Sequence, residues 1–266
     1  MANTNYRACA MRAKDVPFCE ALDAGSYVER YSERVNELLA GIKDSSHRAK
    51  VSETLGSFQA GSDGKLVQSS PYKLVILQNS LPEGNVLVSR PALQIAKENN
   101  PNFMNGFYID CGLNLASASE GYETNKFLAQ ALASDLEKAG VGLQDSRLIP
   151  YSILTAKLSE KSPSGLIFEL SEKGKDIAKS VVPKTHDFNW NYLPSKGGLF
   201  GAFLGRDGGW VAGVGALADS DYDGRVVVET TGEAGSRELE ALKTEAGNLF
   251  ARQEKERKDL VSRLLA

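Results

Sequence analysis

Residues Leu199 to Val228 read LFGAFLGRDGGWVAGVGALADSDYDGRVVV and follow a different composition from the chain around them. The stretch holds seven Gly, four Asp and one Trp, and no Lys, Glu, Gln, Met, Asn, Thr, Ile or Pro. At the composition of the whole chain, about five Lys, Glu, Gln or Met would stand in a window of this length. Gly208 and Gly209 supply turn chemistry, and Arg225 to Val228 reads as a β-strand. A segment with its own rules of composition points to its own origin and marks where function lies.

The chain as a whole is ordinary. Its 266 residues, 42% hydrophobic and 24% charged, are enough for one large domain or two small ones with a real core. A net charge of −3 leaves no electrostatic footprint for nucleic acid, and the basic stretch Arg252 to Lys258 is interleaved with Glu. The start, MANTNYRACAMRAKDVPF, lacks the apolar core of a secretory signal, and no apolar run is long enough to cross a membrane. A cytoplasmic protein without membrane insertion is therefore expected, although surface display by unconventional export would leave no mark here. Cys9, Cys19 and Cys111 are odd in number and lack C-x-x-C spacing, which argues against a disulfide framework and a zinc site. With His47 and His186 the only histidines, metal centres and histidine-based triads are poor expectations.

Outward from the window the pattern mixes helices and short strands. Tyr27, Val28, Tyr31, Val35, Leu38, Leu39 and Ile42 recur at helical spacing over Ser26 to Lys43. Asp44 to Lys65 is polar and reads as a loop or weak helix. Tyr72 to Gln78 (YKLVILQ) and Asn85 to Ser89 read as strands around a Pro82-Glu83-Gly84 turn. Pro91 to Asn99 can start a helix, and Gly106 to Leu115 alternates like a strand. Thr124 is a candidate N-cap for a helix carrying Phe127, Leu128, Ala131, Leu132, Leu136 and Ala139, with Gly140 at its C-terminal end. Leu148 to Leu158 and Leu166 to Leu170 are further strand candidates. This order, without regular β-α alternation, predicts an α+β fold. It divides into a mostly helical segment over 1–66, an α+β domain over 67–235, and a C-terminal helix over 236–266. The apolar stripe of that last helix, Leu239, Leu242, Ala246, Leu249, Phe250, Leu260, Val261 and Leu264, could dock on the body or make an oligomer.

Two chemical motifs compete for the window. Asp219, Asp221 and Asp223 followed by Gly224 resemble the first half of an EF-hand calcium loop. The twelfth position is Thr230 where a bidentate Glu is needed, and a strand follows where a helix should. Gly201, Gly205, Gly208 and Gly209 fit no phosphate-binding spacing, and no Lys follows them. Trp190 and Trp210 read first as core anchors. No catalytic constellation emerges, so a non-enzymatic protein with no cofactor and no metal is expected.

Gly208-Gly209-Trp210, then Ala212, Leu217, Ser220 and the closing Gly224-Arg225-Val226-Val227-Val228, resemble the variable region of diversity-generating retroelement target proteins. The preceding Trp190-Asn191-Tyr192-Leu193-Pro194-Ser195 is similar to the fixed lead-in of archaeal members. In that family an error-prone copy of a template repeat, mutated at adenines, replaces the variable repeat of the target gene. The resemblance implies a C-type-lectin fold over the 67–235 domain, with variable region 199–228, and an exposed ligand-binding surface on a fixed scaffold. A C-type-lectin calcium tripeptide such as Glu-Pro-Asn is absent, so calcium-dependent sugar binding is not implied.

The adenine-specific mutation that the resemblance implies accounts for four of the missing residue types, Lys, Glu, Gln and Met. Randomising the first two bases of an AAC codon yields Asn, Asp, Gly, Ser, Tyr, Val, Ala, Phe and Arg among others, but never Lys, Glu, Gln, Met or Trp. Trp210 is encoded by TGG, which holds no adenine. The frame then comprises Leu199, Phe200, Gly201, Trp210, Ala212, Leu217, Ser220, Gly224, Arg225 and Val226 to Val228. The ligand-binding positions expected to vary are Phe203, Gly205, Asp207, Val211, Gly213, Val214, Gly215, Asp219, Asp221, Tyr222 and Asp223, with Gly208 shared between both sets. The expected partner is a macromolecule, a protein first, carrying a basic patch opposite the aspartates. The alternative is a calcium-dependent module or an enzyme using the Asp219/Asp221/Asp223 loop. The frame should be buried, and the varied positions should share one exposed face.

Overall fold

The computed structural model describes residues 18–117, 121–219 and 223–230. Residues Cys19–Glu229 form one compact unit. The expected C-terminal helix over 236–266, and most of the segment before residue 19, lie outside the described residues.

The chain runs β1 (Phe18–Ala21), α1 (Gly25–Ala40), α2 (Ser45–Leu55), β2 (Gln59–Ala60), β3 (Leu66–Val67), α3 (Pro71–Gln78), β4 (Asn85–Leu87) and α4 (Arg90–Asn99). There follow β5 (Tyr108–Ala116), α5 (Lys126–Lys138), β6 (Arg147–Ile149), a 3-10 turn at Tyr151–Ile153, β7 (Leu154–Leu158), β8 (Leu166–Leu170) and α6 (Glu172–Val181). The last elements are β9 (Gly198–Leu204), β10 (Trp210–Val214), β11 (Gly224–Arg225) and β12 (Val227–Thr230). This is an α+β architecture. A seven-stranded sheet has the order β10-β9-β5-β11-β3-β2, with β6 on the second edge of β5. Smaller sheets comprise β1-β12-β4 and the β7-β8 hairpin.

The sequence patterns locate most elements and misassign a few for physical reasons. Tyr72–Gln78 is helical, not a strand. Ser70 caps it through its Oγ, Pro71 occupies its first turn, and Pro71 to Leu77 are all buried. A helix buried on every side loses its 3.6-residue period and imitates a buried strand. Asp44 caps α2 by accepting from the His47 amide at 2.6 Å, so the stretch read as a loop or weak helix begins with a true helix. Thr124 is not the cap of α5. Asn125 stands there in a left-handed conformation, and its side chain is committed elsewhere. Phe127, expected on the apolar face, is 45% exposed, while Leu128, Ala129, Leu132, Ala133 and Leu136 are buried. The run Leu148 to Leu158 is broken by the 3-10 turn, and the closing strand divides at Val226 into β11 and β12 of different sheets.

One irregularity distributes the core. β5 pairs with β9 as Asp110↔Phe203 and then Gly112↔Ala202, leaving Cys111 as the extra residue of a bulge. A one-residue bulge reverses which side chains face which side. Ile109 and Cys111 therefore join Val88, Ala92, Leu93, Ala202, Leu204 and Ala212 on the α4 side. Leu113 and Leu115, in the same sequence alternation, join Leu199 and the helices α1, α2, α3 and α5 on the other. That larger cluster draws on residues either side of position 66, from Leu22 and Phe58 to Leu74 and Leu166.

Gly112 makes the bulge possible. Its φ is +149°, and a Cβ there would stand 2.8 Å from the Ile149 carbonyl oxygen. Gly112→Ala should lower unfolding free energy by about 2–4 kcal/mol, because strain and a backbone clash act together. Gly140, which follows α5 at φ +78° and meets only a flexible lysine stem, should cost about 1 kcal/mol on the same change. Urea unfolding of the two variants measures the difference, and equal losses would contradict it.

Candidate ligand-binding surface

The β9-β10 hairpin holds the centre of the unusual window. Its register runs Trp210↔Leu204 and Val211↔Phe203, then Val214↔Gly201 across a second bulge. The turn between the strands closes through Gly205 N–H to the Gly209 carbonyl at 2.7 Å, and the Gly209 N–H donates to Asp207 Oδ1 at 2.9 Å. The outer edge of β10 is covered by the lead-in. Asn191 and Tyr192 N–H groups donate to the Trp210 carbonyl, the Ala212 N–H donates to the Tyr192 carbonyl, and Asn191 Oδ1 accepts from the Trp210 amide at 2.7 Å. An otherwise open sheet edge is thereby closed by the chain itself.

Below the hairpin lies a buried cation. Arg90, 2% exposed, places its guanidinium 3.4 Å from the Trp210 ring centroid, with Trp190 at 5.4 Å and Phe188 at 5.3 Å. Its Nη1 donates to Gln94 Oε1 at 2.8 Å. Guanidinium stacking on aromatic faces tolerates burial because the ion is planar and weakly hydrated. A hydrogen-bond chain runs beside it: Trp190 Nε1 donates to the Thr185 carbonyl, Thr185 Oγ1 to Asn114 Oδ1, and Asn114 Nδ2 to the Ala212 carbonyl. Asn125 Nδ2 donates to the carbonyls of Leu199 and Gly215, both at 2.8 Å. The frame is thus held from both faces by residues outside the window.

Burial divides the window. Leu199, Phe200, Gly201, Ala212, Leu217, Gly224, Arg225 and Val226 to Val228 are buried, and Trp210 is half-buried. None of the described candidate positions is buried. Phe203, Gly205, Val211, Gly213, Val214, Gly215 and Asp223 are half-buried, and Asp207 and Asp219 are exposed. Ser220, Asp221 and Tyr222 lie outside the described residues.

Register brings Phe203, Val211 and Val214 to one face of the hairpin, opposite Arg90. Phe203 packs on Tyr108, ring centroids 4.4 Å apart. Below them, the Asp110 carboxylate accepts from the Tyr108 hydroxyl at 2.7 Å and the Ser69 hydroxyl at 2.8 Å. Gly205 and Asp207 occupy the hairpin turn. Asp223 joins the Tyr108 end, where its carbonyl accepts from the Tyr108 amide. Both Asp223 carboxylate oxygens are engaged by Arg206, Oδ1 by Nη2 at 2.6 Å and Oδ2 by Nε. A guanidinium on Asp223 occupies the oxygens a calcium loop would need. Asp219 is exposed just beyond the buried Leu217.

The chemistry elsewhere is quiet. Among the described residues no group of three His, Cys, Asp or Glu could hold a metal ion. Burial, with the nearby Glu229 charge adding to it, pushes the Cys19 thiol up to about 12, and burial does the same to Cys111. Burial thus works against the thiolate form at both positions. His47 is a core residue whose Nε2 meets the Gly165 carbonyl at 2.9 Å. Sequence reasoning missed Arg90, Tyr108, Asp110, Asn114 and Asn125, because each acts across long separations that no local spacing records. No protein-family model matches the chain, and no curated protein or solved structure matches it either.

Arg90→Ala should lower stability by about 3 kcal/mol through the lost stacking and the cavity left under Trp210. Arg90→Lys should recover little of it, since an ammonium cannot stack as a plane. Chemical denaturation checks both, and a neutral Arg90→Ala would remove the cation from its structural role.

Glu229 gives a pH signature. Burial raises its pKa, opposed in part by the Ser89 amide and hydroxyl that donate to it. A raised folded value means that its contribution is full below the ordinary carboxyl range and is lost as pH rises through the folded value. Glu229→Gln, which keeps an acceptor for Ser89, should therefore be the more stable protein at pH 8, with the gap closing toward pH 4. Paired urea titrations at the two pH values measure the effect.

Proposed function

We propose that this protein is a non-enzymatic ligand-binding protein of the diversity-generating retroelement class. Its window 199–228 carries the binding surface on a C-type-lectin-like scaffold. The observation that carries this reading is the division of the window, in which described frame positions are buried or stacked and described candidate positions reach solvent. Mutation at such sites changes the surface without opening the core, which is what a diversified receptor needs.

The supporting chemistry is that of an interface. Phe203 and Val211 give apolar area on a rigid sheet, and the Gly205–Gly209 turn and Asp219 add polar, adaptable edges. Exposed Asp207 and Asp219 favour a protein partner that presents basic side chains. The net charge of −3 gives nucleic acid no comparable attraction. The rival calcium reading loses support from the Arg206–Asp223 pair.

DNA flanking the gene is the decisive test. It should contain a second repeat matching the codons of residues 199–228, differing mainly at adenines, beside a reverse transcriptase gene. A locus with neither would end the retroelement reading. Calorimetric titration with calcium separates the rival. Micromolar binding abolished by Asp221→Ala would move the function to the aspartate loop.

A further inference from the structure

The pairing around the hairpin forms a single row of side chains. Asp110 stands opposite Phe203, Phe203 opposite Val211, and Val211 beside Tyr192 of the lead-in. Side chains in register on neighbouring strands share a face at about 4.8 Å intervals. Phe203 and Val211 fall within residues 199–228, whereas Tyr192 at one end and Tyr108, stacked on Phe203, at the other do not. Mutation confined to the window leaves both tyrosines unchanged. Tyr192 is also 55% exposed, and the adjacent Leu193 is 44% exposed.

Tyr192 touches the window at a position expected to vary. A Cβ on Gly213 would lie 2.7 Å from Tyr192 Cδ1 and closer still to Cε1, so the ring lies directly on that glycine. The Tyr192 backbone is pinned by hydrogen bonds to Trp210 and Ala212. Any side chain at 213 must therefore displace the ring by side-chain rotation. The solvent side is open to it.

We propose that Tyr192 is a fixed ligand-contacting residue of the variable surface and that the residue at position 213 sets the pose of its ring. With Gly213 the ring lies against that glycine, beside the Phe203–Val211 row. With any larger residue it turns outward and becomes a projecting anchor. One mutable codon thus alters its own side chain and also the placement of an aromatic group that it does not encode. Tyrosine suits this task, because its broad amphipathic ring contributes much contact for two rotatable torsions. The partner is a protein offering basic side chains to Asp207 and Asp219 beside an apolar patch for the ring. This inference rests on the ligand-binding reading above.

The test uses the full chain displayed with positions 203, 205, 207, 211, 213, 214, 215 and 219 randomised, and lysozyme, a basic protein, as the probe. Binders should emerge. Tyr192→Ala in several independent binders should weaken Kd by about tenfold or more, whereas Tyr27→Ala on α1 should not. Binders indifferent to Tyr192→Ala would overturn the inference and leave the ligand-binding reading standing. A library yielding no binder at all would overturn both. A second measurement needs no ligand. In protein labelled with 3-fluorotyrosine, the fluorine resonance assigned through Tyr192→Phe should move toward its solvent-exposed value in Gly213→Ser. An unmoved resonance in folded Gly213→Ser would disprove the control exerted by position 213.

Discussion

The stack of Arg90 on Trp210 is the contact on which the proposed surface depends. A guanidinium buried without an aromatic partner would carry a desolvation cost of several kcal/mol. The aromatic faces of Trp210, Trp190 and Phe188 offset that cost from one window residue and two outside it. The arrangement ties the N-terminal turn of α4, the 185–190 segment and β10 into one rigid body. Its special property is that Trp210 cannot be lost by adenine mutation, so the proposed mutational process spares the residue that anchors the hairpin.

On β10 the pleat separates Trp210 and Ala212 from Val211, while on β9 Leu199 and Gly201 share the face of Phe203; two bulges set this arrangement. The first, at Gly112, sends Ile109 and Cys111 to the α4 side and Leu113 and Leu115 to the other. The second, between Val211 and Val214, keeps those two valines on the same face as Phe203 although their spacing is three. In a regular strand Val211 and Val214 would point to opposite sides. The hairpin presents three apolar side chains together only because the Ala212–Gly213 pair takes up one extra residue. The same glycine leaves room for the Tyr192 ring.

Much of this architecture was legible in the chain. The compositional gap in 199–228 marked a stretch that contains most of the β9-β10 hairpin, and the frame implied by the resemblance named Leu199, Ala212 and Leu217, which are buried, apart from Phe203 and Asp207, which are not. The helical periodicities of α1 and α5 and the strand β8 were read within a few residues of their ends, because each has one wet face and one dry face. α3 was not legible, since uniform burial erases period. Nor was the Arg90 cage. An arginine ahead of Pro91 looks like an ordinary solvated helix start, and only the arrival of Trp210, far along the chain, gives its charge somewhere to go. Tyr192 stood in view within the lead-in, but its relation to Gly213 arises from a strand pairing that no spacing encodes.

A surface built for variation must keep the energetic effect of each substitution small. Core positions cannot do this, because removing a buried side chain costs about 2–5 kcal/mol and a domain holds only about 5–15. Sites on a solvent-facing sheet and turn can, provided that the backbone beneath them is held by other residues. Here that holding is done by Asn125 on the Leu199 and Gly215 carbonyls, Asn114 on the Ala212 carbonyl, and Asn191 on the Trp210 amide. All three asparagines sit outside the window and grip main chain, which mutation does not change. Substituting a side chain at 203, 205, 207 or 211 therefore leaves each of these bonds intact. On the proposed reading, stability is carried by residues outside the window, and side chains within it can change what the surface presents.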